Sequence, residues 1–117
     1  MFSKNTLTIA ILLFSWGTVQ IDVEAAFKKG YDLFWKAEFP DAIRTLSEAE
    51  SGLTGTTPND LALKVLLYLG QSLIGDGQTD AADDVFYKLC QRDPNYELEG
   101  RVSGAISTRF ASARDKC

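Results

Sequence analysis

Histidine is absent from this chain of 117 residues, methionine occurs once, cysteine twice and proline three times. Without histidine there is no imidazole base for a nucleophilic triad, no histidine proton shuttle and no ligand of the kind most zinc sites use. Positive charge is also scarce. Twelve Lys and Arg face sixteen Asp and Glu, a net charge of −4 at pH 7. An acidic chain without a basic run argues against nucleic acid or an anionic membrane as the main partner. No phosphate-cradling glycine loop occurs: Gly75-Asp76-Gly77 reads as a helix stop. Asp80, Asp83 and Asp84 lack the calcium-loop spacing with its later Glu, and read as negative charge at a helix N-terminus. These absences leave no catalytic, cofactor-binding or metal-ligating residue to assign, and the chain is not expected to be an enzyme.

Long apolar runs are missing except at the start. Lys4 precedes an apolar stretch from Leu7 to Val19, and Val23-Glu24-Ala25 offers small residues where a leader is cut. Residues 1–25 therefore read as a secretory signal peptide, and residues 26–117 as the mature domain. Only 17 uncharged residues separate Lys4 from Asp22, short of the ~20 apolar residues that a spanning helix wants. The expected location is periplasmic or secreted, with no membrane span once the leader is removed. The alternative is an inner-membrane anchor formed by an uncleaved N-terminal segment. No cysteine follows the apolar run to take an acyl chain.

What remains is ordinary globular material, 45% hydrophobic and 24% charged, enough for one small domain. Its central stretch runs from Leu66 to Pro94. Leu66, Leu69, Gly70 and Leu73 recur at a helical period. Gly70 inside that stripe costs roughly 1 kcal/mol relative to alanine, which is explained if a second helix packs closely there. Gly75, Asp76 and Gly77 break the helix, and Thr79 is placed to cap the next. Ala82, Val85, Phe86 and Leu89 share one face of that helix, which Asp93-Pro94 ends.

The pattern repeats. Gly30, Ala42 and Leu46 precede Gly70, Ala82 and Phe86 by 40 positions each. The first copy is expected to form helices over about Ala26–Glu38 and Pro40–Glu50, with Pro40 in a first turn where its missing N–H is harmless. Ala42, Leu46 and Ala49 form an inner stripe, flanked by Ile43. Thr57-Pro58-Asn59-Asp60 predicts a helix start, with Thr57 capping and Asp60 returning a bond. Ser103 is placed to cap a last helix over about Gly104–Lys116, turning Ile106, Phe110 and Ala113 inward.

The small residues at Gly30 and Gly70, the alanines at 42 and 82, Leu46 and Phe86 four positions later and the closing Asp93-Pro94 resemble the tetratricopeptide repeat family. The likeness covers about Ala26 to Asn95. The first copy departs from it where Ser51-Gly52-Leu53-Thr54-Gly55-Thr56-Thr57 replaces the short Pro turn. With Phe110-Ala111-Ser112-Ala113-Arg114 near its end, the layout is similar to small two-repeat envelope proteins of myxobacteria and relatives. The resemblance implies an all-α fold: two helix-turn-helix repeats, about 26–57 and 58–95, plus a capping helix about 103–116, an α-solenoid fragment. It also implies a protein–protein interaction or scaffold module of the bacterial cell envelope. In that family, ligands bind the face lined by the first helix of each repeat. Carried over by position, this face holds Phe27, Tyr31, Phe34 and Trp35 from the first copy, and Lys64, Leu67, Gln71 and Ile74 from the second. An aromatic groove with polar Gln and Lys suits a peptide or a partner subunit. The alternative reading is self-association, as a structural component of an envelope assembly. Core packing is the competing role for Phe27 and Phe34.

Cys90 and Cys117 are two thiols in an expected oxidising compartment. If the last helix runs back antiparallel along the fourth, Cys117 lies roughly 18 Å from the start of that last helix. That exceeds the ~7 Å Cα limit for a disulfide. An internal bond is then the minor alternative, and Cys117 is left to link two chains.

Overall fold

The structure, a computed structural model, describes residues 21–98 and 103–117. Residues 1–20, which make up most of the expected leader, lie outside the described residues. Among those described the chain is all-α. Its five helices are α1 (Val23–Trp35), α2 (Phe39–Ser51), α3 (Asn59–Gly75), α4 (Thr79–Arg92) and α5 (Gly104–Lys116).

Helix ends follow from local chemistry, with some displacement from expectation. α1 begins three residues before Ala26 because Asp22 caps it, its Oδ1 accepting from the backbone N–H of Ala25 at 3.1 Å. A cut after Ala25 would take that cap and the first turn of the helix. α1 also ends at Trp35 rather than Glu38, because the chain turns at Ala37. There φ is 58°, and the Glu38 N–H reaches back to the Leu33 carbonyl at 3.0 Å. The next turn repeats this arrangement 40 positions on: Gly77 has φ 80°, and Gln78 donates to Leu73 at 2.8 Å. Pro40 lies in the first turn of α2, as expected. Thr79 is the first residue of α4 rather than its cap, which is Gln78. Thr57 does not cap α3 either. The cap is Pro58, without a side-chain bond, because the Thr57 hydroxyl accepts from the Thr54 N–H at 2.9 Å within its own loop. Ser103 caps α5, accepting from the Ile106 N–H at 3.3 Å.

Ala37 is a non-glycine residue in left-handed geometry, which costs an L-residue about 1–2 kcal/mol. Replacing it with glycine should therefore raise stability by about 0.5–1 kcal/mol after glycine's own entropic penalty. A chemical denaturation midpoint that falls, or does not move, contradicts this.

One core runs through the helices. Ala42, Leu46, Leu66, Leu69, Ala82, Phe86 and Leu89 are buried together, and Phe110 and Ala113 of α5 close the stack. The two hairpins are built alike. A Cβ on Gly30 would lie 2.5 Å from the Leu46 side chain, and one on Gly70 would strike the Phe86 ring. Each glycine thus makes room for the large residue sixteen positions later. Gly75 plays the same part for the Phe39 ring, 2.7 Å from where its Cβ would be. α1 touches α3, and α3 touches α5, while α2 and α4 each pack between odd-numbered neighbours. The odd helices therefore share one side of the molecule. Between the hairpins, Lys88 pairs with Glu50 at 3.2 Å, and Arg92 donates to the Thr54 carbonyl at 3.2 Å.

The direction of α5 overturns the expectation for the cysteines. Arg109 lies against Asp83 at 3.0 Å, Phe110 against Phe86 at 5.9 Å between ring centroids, and Cys117 beside Cys90. Residue numbers rise together on the two helices, so α5 runs alongside α4 in the same sense rather than antiparallel to it. The chain between Asp93 and Ser103 is long enough to return to the start of α4 before α5 begins. The two Cα atoms are then 6.2 Å apart, and Cys90 and Cys117 form an intrachain disulfide.

Candidate functional site

The exposed side of α1 carries the aromatic residues of the first copy. Phe27, Tyr31 and Phe34 follow helical spacing, so their rings lie along one face. α3 contributes Tyr68, which stands edge-on to three of them: Tyr31 at 5.0 Å, Phe34 at 5.3 Å and Phe27 at 5.9 Å between ring centroids. Trp35 continues the row, 5.2 Å from Phe34 and 6.0 Å from Tyr31. Edge-to-face pairs at such separations contribute about 0.5–1.5 kcal/mol each beyond burial. The row is therefore a cohesive sheet of rings, not a set of independent side chains.

A groove of about 610 Å³ opens beside it, lined by Phe27, Lys28, Tyr31, Asp32, Lys64 and Tyr68. A second hollow of about 360 Å³ extends it past Glu24, Pro58 and Leu61. Volumes of this order fit a ligand side chain or a short segment. Burial pushes the Tyr68 hydroxyl above its ordinary range, and the neighbouring Tyr31 hydroxyl adds to the effect. Tyr68 thus stays neutral at physiological pH and presents an O–H dipole rather than a charge. Lys28 pairs with Glu24 at 3.4 Å on the open surface.

The expected site residues divide into two groups. Phe27, Tyr31 and Lys64 line the groove. Phe34 is half-buried beneath the row, and Trp35 is 64% exposed at its end. Phe27 and Phe34 also pack against the core, as do Leu67 and Ile74, which do not line the groove, and Gln71 is half-buried and does not line it either. Lys28, Asp32 and Tyr68 also line it, at positions that the repeat resemblance does not mark. On the other hairpin, Asp83 turns its charge to Arg109, and Asp80 and Asp84 are exposed.

No family model, curated protein or solved structure matches this chain. The groove must therefore be read on its own chemistry.

Proposed function

We propose that this chain is a tetratricopeptide-like interaction module of the bacterial cell envelope. It binds a peptide segment or partner subunit along the α1–α3 face. The observation that carries this reading is the aromatic row itself. Tyr31 and Trp35, 37% and 64% exposed, are two of the four large hydrophobic side chains most open to solvent among the described residues. They are neighbours in one row beside a groove rather than scattered over the surface. Aromatic anchors of this kind dominate binding energetics where they are desolvated by a partner. Lys64, which lines the groove, supplies a cation for a carboxylate or carbonyl on the bound segment. The repeat geometry at Gly30–Leu46 and Gly70–Phe86 supports the family assignment, and the apolar leader supports export to the periplasm or beyond.

The test is co-purification from envelope extracts of the source organism, with wild type against a Tyr31→Ala/Trp35→Ala variant. The variant gives up the ring pairs of Tyr31 and Trp35, so it should melt below wild type; compared at a temperature where circular dichroism shows both folded, it should lose the partner. Retention of the partner by a folded variant refutes the site. The second reading, self-association through the same face, predicts a mass that rises with concentration in the micromolar range. It also predicts that the double variant is monomeric.

A further inference from the structure

We propose that the Cys90–Cys117 disulfide is a redox clasp that holds α5 closed over α4, and that its reduction releases α5 while the α1–α4 core stays folded. Besides the bond, α5 is held by its packing along α4. Of its side chains only Phe110 and Ala113 are buried, and Ile106 and Arg109 are half-buried. Among the described residues a single ion pair, Arg109 to Asp83, ties it to α4. Its contact with α3 is slight. A free helix of 13 residues is marginal in water. The clasp lies at the far end of the helix from its Ser103 cap, and the bond closes the final turn onto Cys90. Most of the core lies outside α5: Leu46 of α2, Leu66 and Leu69 of α3 and Phe86 of α4 are buried together, with Leu33 and Phe34 of α1 packed against them.

The two cysteines are not equally open. Cys90 is 3% exposed, whereas Cys117 is exposed. A thiolate from an external dithiol therefore attacks Cys117 Sγ, breaking the S–S bond and releasing the Cys90 thiolate, which takes a proton. The dithiol's second thiolate then attacks its own sulfur in the mixed disulfide and releases Cys117 as a thiol. The dithiol is oxidised to its disulfide and the protein gains two electrons and two protons. With the clasp open, the Phe86 side of α4 loses its cover.

Hydrogen exchange of the full chain, read by mass spectrometry, tests this on the oxidised protein, the same protein under a dithiol, and Cys117→Ser. Cys117 is exposed, so serine there removes the bond with little change in packing. Amides of α5 should exchange at least tenfold faster in the two unclasped forms, with those of α1–α3 unchanged. Unchanged α5 protection after reduction overturns the proposal. So does simultaneous loss of protection in all helices, which would make the bond a staple for the whole domain. A native mass showing two free thiols overturns it at the outset.

Discussion

Phe86→Ala should lower stability by about 3–5 kcal/mol, the cost of truncating a fully buried aromatic. Phe86 is wholly inaccessible to solvent. Its ring fills the space opened by Gly70 and stands edge-on to Phe110 at 5.9 Å. Three helices lose a contact at once. α3 loses the ring against its glycine, α4 its largest core residue, and α5 the ring that Phe110 meets. For a domain of this size each kcal/mol moves the melting point by roughly 4–8 °C, so the midpoint should fall by about 12–40 °C or the cooperative transition should vanish. Typical domains have only about 5–15 kcal/mol to lose. A thermal melt followed by circular dichroism decides it, and a midpoint within a few degrees of wild type would remove Phe86 from the core.

Gly70→Ala makes the opposite error, adding a carbon where none fits. Alanine is the better helix former by about 1 kcal/mol, so propensity alone predicts a gain. The new Cβ would strike the Phe86 ring, which is fully buried and has nowhere to go. Overpacking of this kind typically costs about 1–3 kcal/mol net. Gly30→Ala should behave alike, since its Cβ would meet Leu46 at 2.5 Å. Gly104 is the control. It is exposed in the first turn of α5, and a Cβ there would have nothing within 4 Å, so alanine should be neutral or slightly stabilising. Equal denaturation midpoints for the alanine variants at 70 and 104 would show that the glycine is not a steric seat.

The same two glycines show how much of the fold the residue pattern carries. A glycine inside an apolar helical stripe is unfavourable unless something approaches closely. Its recurrence 40 positions on, with a large residue sixteen further, fixes the pairing of helices in both hairpins. The inner faces of α2 and α4 follow from period alone. The direction of α5 does not. An apolar stripe says which face turns inward but not which way the helix points along its neighbour. The connection after Pro94 is long enough for either sense. On that one ambiguity turns whether the two cysteines stand apart or meet.

The groove is legible in part for a related reason. The repeat register pairs position 27 with 67, 31 with 71, and 34 with 74. The column one place along, Lys28 with Tyr68, is not among the positions that the resemblance marks. Both of its members line the groove, and Tyr68 is the ring on which the aromatic row of α1 rests. Spacing does carry a signal for it, because Lys64, Tyr68 and Gln71 follow one stripe of α3. Leu67 and Ile74 lie on the neighbouring stripe and turn to the core.

The central claim is that the α1–α3 face meets a foreign protein, and photocrosslinking in cells tests it most directly. A photoreactive residue is placed at Tyr31 on the groove, and another at Tyr87, equally exposed at 37% on α4. Mass spectrometry then identifies the adducts. The account predicts one foreign protein captured at 31 and not at 87. Capture of that protein equally from both positions, or of nothing but this same chain from 31, would contradict it.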